Sequence, residues 1–119
     1  LGVTFKPDVD DARNSPARRI MELLLRHEAE VAYNDPYVPR FHVGRDVFYK
    51  GEVVLESQPL EEKRLAESDC VVIVAGHSCY DYEWIVKHAP LVLDTVNATR
   101  HVSFGRGKIL RLGAPPPEE

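Results

Sequence analysis

Six consecutive apolar residues, CVVIVA at 70–75, constrain the fold of this chain more than any other feature. A strand with one wet face alternates apolar and polar residues. A run that is apolar at every position must be covered on both faces, as the central strands of a parallel sheet are. Parallel neighbours need crossover connections, so helices should stand between the strands. Residues 1–5 (LGVTF), 30–33, 53–56 and 91–95 (LVLDT) read as further short strands, with another expected at 108–112. Ser15 stands as an N-cap ahead of Pro16, and Ala17, Ile20, Met21, Leu23 and Leu24 recur at helical spacing to about residue 29. Shorter helices are expected at 60–67 and 82–88. Residues 37–51 mix proline, glycine, aromatic and charged residues without a period and read as an irregular excursion. The alternation as a whole predicts an α/β domain with a mostly parallel sheet and helices on both faces.

Length and charge narrow the function classes. With 119 residues and 13.5 kDa there is room for one hydrophobic core. A formal charge of -4 disfavours a nucleic-acid partner, which needs a concentrated cationic surface. The apolar run at 70–75 is far short of the roughly 20 residues of a membrane-spanning helix. Cys70 and Cys79 are too few for a disulfide scaffold and lack the partners of a zinc pattern. The five histidines are scattered, so no metal site is expected, and the cysteine usage suits a reducing cytoplasm. Because the chain passes from Leu1 straight into strand-like sequence, it reads as a domain cut from a longer protein. Its end, APPPEE, is expected to be disordered.

Parallel sheets bind ligands beyond the carboxyl ends of their strands, which selects four loops. The loop after Phe5 lacks the GxGxxG glycines that let a dinucleotide pyrophosphate approach the backbone. It holds Lys6, Asp8, Asp10, Asp11 and Arg13, and the helix starting near Ser15 points its positive end at them. Two readings stay open there: Lys6 and Arg13 bind an anion, or Arg13 pairs with Asp10 or Asp11 and pins the loop. The acids do not make a Mg²⁺-binding phospho-acceptor, because the central strand ends without the further Asp that this needs. Asp35 matches the place of a ribose-binding acid, but before Pro36 it is better explained as a turn former. His77, Ser78 and Cys79 follow the central strand without the orienting partner of a catalytic triad. His77 is expected to line a crevice. Asn97, after Asp94 and Thr95, is either a ligand contact or a cap, and Trp84 is a packing residue.

Taken in order, the polar segments resemble a known family. FKPDVDDARNSP at 5–16 resembles the FKPDxDDxRxSP signature that opens the C-terminal domain of UDP-glucose/GDP-mannose dehydrogenases. The resemblance continues in AEVAYNDPY at 29–37, through residues 66–74, and into GHS at 76–78, YDY at 80–82 and VLDTVNATR at 92–100. GHSCYDY and DTVNATR look closest to the branch acting on UDP-N-acetylglucosamine or related UDP-acetamido sugars.

The resemblance implies a Rossmann-like three-layer sandwich over residues 1–106, followed by a tail at 107–119. It further implies a cytoplasmic, NAD-dependent 6-dehydrogenase of polysaccharide biosynthesis that oxidises the C6 alcohol of a UDP-hexose to a uronate. In such an enzyme an N-terminal domain binds NAD, a helical middle supports a homodimer or larger assembly, and this domain binds the UDP end of the substrate. The nucleophilic Cys lies upstream and neither Cys70 nor Cys79 falls in its motif, so the fragment alone should not turn over. Lys6, with Phe5 and Asn97, is implied at the substrate, and Arg13 near the NAD diphosphate. One position departs from the pattern: Val96 stands where the family often carries an Arg that grips the nucleotide, with Arg100 nearby as a substitute. The alternative reading is a non-catalytic module that uses the same fold for subunit contact or regulatory nucleotide binding.

Overall fold

The computed structural model describes residues 1–13, 15–44 and 51–112. Its centre is a parallel sheet of β3 (Val71–Ile73), β4 (Val92–Asp94) and β5 (Ile109–Arg111), in that spatial order. Val71, Val92 and Ile109 stand in register, as do Ile73, Asp94 and Arg111 on paired strands. Helix α3 (Tyr82–His88) makes the crossover from β3 to β4, and α2 (Glu62–Glu67) packs beside it. This is the Rossmann-like α/β arrangement expected from the run at 70–75, whose alternate residues feed two separate cores. Val71 and Ile73 join Leu65, Ile85, Val86, Val92 and Ile109 on the α2/α3 side. Val72 and Val74 face the other way, against Val3, Ala17, Met21, Tyr33, Phe41 and Val43.

Helix α1 (Pro16–Arg26) covers that second face, and Ser15 caps it by accepting the Ala17 N–H at 3.1 Å. It stops three residues earlier than the apolar spacing suggested. Glu28 turns to a φ of 66°, and the Ala29 N–H reaches back to the Leu24 carbonyl at 2.9 Å, a bond that closes a helix instead of extending it.

Two expected strands do not form ladders. Gly2 adopts a φ of 81°, which turns the backbone out of extended pairing after one residue. The Leu1 nitrogen donates to the Val72 carbonyl at 2.6 Å, its carbonyl accepts from Val74 and Ala75, and Gly2 then donates to Asn34. Residues 1–3 are thereby stitched between the end of β3 and residue 34. Residues 30–33 make a comparable single anchor, the Tyr33 carbonyl accepting the Gln58 N–H at 2.8 Å.

The irregular excursion is in part regular. β1 (Arg40–Gly44) pairs antiparallel with β2 (Glu52–Glu56), Phe41 and Val43 buried and Arg40 and His42 outside. Residues 45–50 of the excursion, and the tail at 113–119 expected to be disordered, lie outside the described residues. No helix among the described residues is long and apolar enough to cross a membrane.

Candidate functional site

The loops after residue 5, after β3 and after Tyr33 meet around one buried imidazole. His77 is fully enclosed. Its Nδ1 accepts the Asp8 N–H at 2.8 Å, and its Nε2 lies 2.9 Å from Asp35 Oδ2. A backbone amide can only donate, so Nδ1 carries the lone pair and Nε2 the proton, which is donated to Asp35. Asp35, itself buried, also accepts the Val3 N–H on Oδ2 and the Tyr37 N–H on Oδ1, each at 2.8 Å. Asp35 is thus the turn former expected, and also the hub that joins residue 3, residue 37 and His77.

Around this hub the aromatic side chains of the same motifs close in. The Tyr37 ring stands 4.8 Å from the imidazole and the Tyr80 ring 5.8 Å. The Tyr80 hydroxyl donates to Asn34, and the Tyr82 hydroxyl donates to the His77 carbonyl at 2.8 Å. Burial pushes the Tyr80 phenol well above its ordinary range and the Tyr82 phenol up to about 12, so both remain donors. Sequence reasoning placed His77 at a crevice and missed this network. A histidine and two tyrosines directly after an all-apolar strand were the available signal, since polar groups placed there are buried and need partners.

The hub fixes the backbone of the Lys6 loop. The Phe5 N–H donates to the Asp11 carbonyl at 3.2 Å, the Thr4 hydroxyl donates to the Lys6 carbonyl at 2.6 Å, and Asp8 sits at a φ of 62°. The Asp8 carboxylate accepts both the Ser78 N–H, at 2.6 Å, and the Ser78 hydroxyl, at 2.5 Å. Those two bonds hold Asp8 below the usual carboxylate range. The Phe5, Lys6 and Arg13 side chains all face solvent, Phe5 with 60 % of its surface exposed. Arg13 forks onto Asp11, Nε at 2.9 Å and Nη2 at 3.0 Å, and this lowers the Asp11 carboxyl to about 2. The loop-pinning pair is therefore present; being exposed, it adds little to stability.

The loop after β4 lies beside the loop that carries His77. Asp94 accepts four bonds, from the amides of Val96, Ala98 and Thr99 and from the Thr99 hydroxyl at 2.6 Å. Burial alone would raise its carboxyl, but the Thr99, Ala98 and Val96 donors outweigh it and the net shift is downward. The turn they build puts Asn97 at a φ of 58°, exposed, with its Oδ1 accepting from Arg111 at 3.3 Å. A Cβ at Gly76 would stand 3.5 Å from Val96 and 3.6 Å from Ala98, so this turn lies against the loop that carries His77. Val96 is 44 % exposed there, and Arg100 bends back to the Asn97 carbonyl at 3.1 Å.

Because Asp94 titrates lower folded than unfolded, the stability it supplies is full above the unfolded value of about 3.9 and is lost as pH falls through the folded one. Asp94→Asn should lower stability at neutral pH by about 1–3 kcal/mol. It should also flatten the acid limb of a plot of urea midpoint against pH; an unchanged limb would remove Asp94 as its source.

Partial desolvation pushes the Cys70 and Cys79 thiols up, the opposite of what an activated nucleophile needs. Trp84 packs against the α2/α3 core and the His88 ring, as its packing assignment required. No group of three or more His, Cys, Asp or Glu side chains among the described residues is arranged to hold a metal ion.

A parallel sheet whose carboxyl edge gathers these loops defines a Rossmann-like α/β domain with its candidate site at that edge. Residues 1–101 match the model of the UDP-glucose/GDP-mannose dehydrogenase family, UDP binding domain, and the chain belongs to that family. A curated relative from Methanococcus aeolicus, a UDP-N-acetyl-D-mannosamine dehydrogenase, is 34% identical over 78 residues, which is 66% of this chain and 15% of the relative. One of the same name from Methanococcus vannielii is 26% identical over 109 residues, 85% of this chain and 22% of the relative. The chain thus spans less than a quarter of the length of these relatives. No solved structure gives a significant match.

Proposed function

We propose that this domain holds the UDP moiety of a UDP-acetamido-hexose for an NAD-dependent 6-dehydrogenase, in a longer protein acting in the cytoplasm as a homodimer or larger assembly. Residues 1–106 are the binding domain on this reading. The relatives named for UDP-N-acetyl-D-mannosamine favour that epimer over UDP-N-acetylglucosamine or UDP-glucose as the first substrate to test. The reaction would take the C6 alcohol to a carboxylate, and the catalytic Cys would lie outside this chain.

The observation that carries the reading is a solvent-facing Lys6 on a loop whose backbone is fixed on both sides, by Thr4 at the Lys6 carbonyl and by His77 and Ser78 at Asp8. A cation on a prearranged backbone grips a diphosphate without having to order the loop first. Phe5 offers an exposed ring beside it, and Asn97 an exposed amide on the loop after β4. NAD, when bound, would supply the hydride acceptor. The residues here fit only the edge of such a group. Arg13 can exchange Asp11 for the cofactor's diphosphate, while the loop lacks the glycines of a pyrophosphate turn.

Calorimetric titration of the full-length protein with UDP-N-acetylmannosamine, UDP-N-acetylglucosamine and UDP-glucose tests this. Lys6→Ala should weaken the best ligand by about tenfold to a hundredfold, the worth of a charge-assisted contact of about 1.5–3 kcal/mol. Equal affinity in variant and parent would remove Lys6 from the site. One observation favours the second reading, a non-catalytic or regulatory nucleotide-binding module: Val96 puts an exposed apolar side chain where the family pattern often has Arg. UDP-sugar binding without NAD reduction by the full-length protein would decide for it.

A further inference from the structure

We propose that His77 is a positioning residue that latches the Lys6 loop only while its imidazole is neutral, so that UDP-sugar affinity is lost when His77 is protonated. This deepens the substrate-binding reading above and rests on it. Its basis is the direction of two hydrogen bonds. Nδ1 must offer a lone pair to the Asp8 N–H, and Nε2 must offer its proton to Asp35. Asp35 cannot turn away, because its two oxygens also hold the Val3 and Tyr37 amides. The ring is therefore fixed with its lone pair aimed at the loop.

A proton added at Nδ1 sets two donors head to head and breaks the bond to Asp8. The Asp8 carboxylate, 4.0 Å from Nδ1, then becomes the partner for the new N–H, and reaching it draws that carboxylate off Ser78. Both anchors on the carboxyl side of Lys6 are lost in one event. Imidazole is the side chain whose charge changes within the physiological pH range.

The other titratable groups facing His77 do not imitate this effect. Burial raises the phenols of Tyr37, Tyr80 and Tyr82 and the thiol of Cys79, which moves them away from the acid side. Asp8 stays anionic through its Ser78 bonds.

The test is UDP-sugar titration of the full-length protein between about pH 8 and pH 5, where histidine changes charge. A UDP-sugar is chosen because its diphosphate, esterified at both ends, keeps its charge across that window. His77→Asn keeps an oxygen near Nδ1 to accept the Asp8 N–H and cannot titrate; His77→Gln keeps a donor for Asp35 but withdraws that acceptor. Wild-type affinity should fall about tenfold or more toward acid. His77→Asn should bind with a flat profile, and His77→Gln should bind about tenfold more weakly at every pH. A flat wild-type profile, or a His77→Asn profile that follows the wild type, overturns the proposal. If the wild type binds no UDP-sugar at any pH, the substrate reading fails. The latch is then judged by the Asp8 amide resonance: its shift with the His77 titration upholds it, and its indifference overturns it.

Discussion

Asp35→Ala should cost the domain about 3–5 kcal/mol of unfolding free energy. The carboxylate accepts from the Val3 amide, the Tyr37 amide and His77 Nε2, all within 2.9 Å, and Asp35 and His77 are both fully enclosed. Alanine deletes every acceptor at once and leaves three donors facing a void. A buried donor without a partner costs its whole desolvation, about 1–3 kcal/mol, and the void adds the loss of packing. At about 4–8 °C per kcal/mol for a domain of 60–100 residues, the melting temperature should drop by more than about 10 °C. Asp35→Asn should fall between alanine and wild type, since its single oxygen satisfies some of these donors and its NH₂ opposes the others. Urea titration of the three proteins reads the order directly. A loss below about 1 kcal/mol in the alanine variant would show that water replaces the carboxylate, and the hub would then not hold these loops together.

The elements that could be read from sequence are those in which local chemistry and packing agree. CVVIVA had to be covered on both faces, and in the fold its alternate residues do feed two cores. Ser15-Pro16 marked the start of α1 and residues 82–88 the extent of α3, because caps and periodicity are local. Three features were hidden for three different physical reasons. Residues 1–5 have strand composition, but strand pairing is decided by a partner and by the φ of Gly2, neither of which is visible in LGVTF. RFHVG alternates correctly for β1, yet Pro39 before it and Gly44 at its end disguised the run as a loop. Asp35 and His77 lie 42 positions apart, so their bond depends on the fold bringing the ends of two segments together. For the site, the loops were found by the rule for parallel sheets, and the Arg13–Asp11 pair was one of the two readings left open. Spacing alone did not show that Asp8, Asp35 and His77 form one network, because each residue has an ordinary local role that explains it alone.

Gly2→Ala should destabilise the domain by about 2–5 kcal/mol, a large effect for one methyl group. The glycine sits at a φ of 81°, a conformation that costs an L-residue about 1–2 kcal/mol. A Cβ there would stand 2.6 Å from the Ala75 Cβ and 2.8 Å from the Ala75 carbonyl oxygen. Neither contact is the tip of a flexible side chain, so relief requires moving backbone. The segment that would move makes the Leu1 bonds to Val72, Val74 and Ala75 and the Gly2 bond to Asn34, and it carries the Val3 amide bonded to Asp35. A shift there therefore pulls on the hub that fixes His77 and, through it, the Lys6 loop. Two measurements on full-length protein check this: a lower urea midpoint in Gly2→Ala, and UDP-sugar affinity that falls further than in Ala66→Gly, an exposed control on α2 away from the hub and the Lys6 loop. Wild-type stability in Gly2→Ala would mean that residues 1–3 do not pack against Ala75, and the path from this segment through Asp35 to the Lys6 loop would be broken at its first contact.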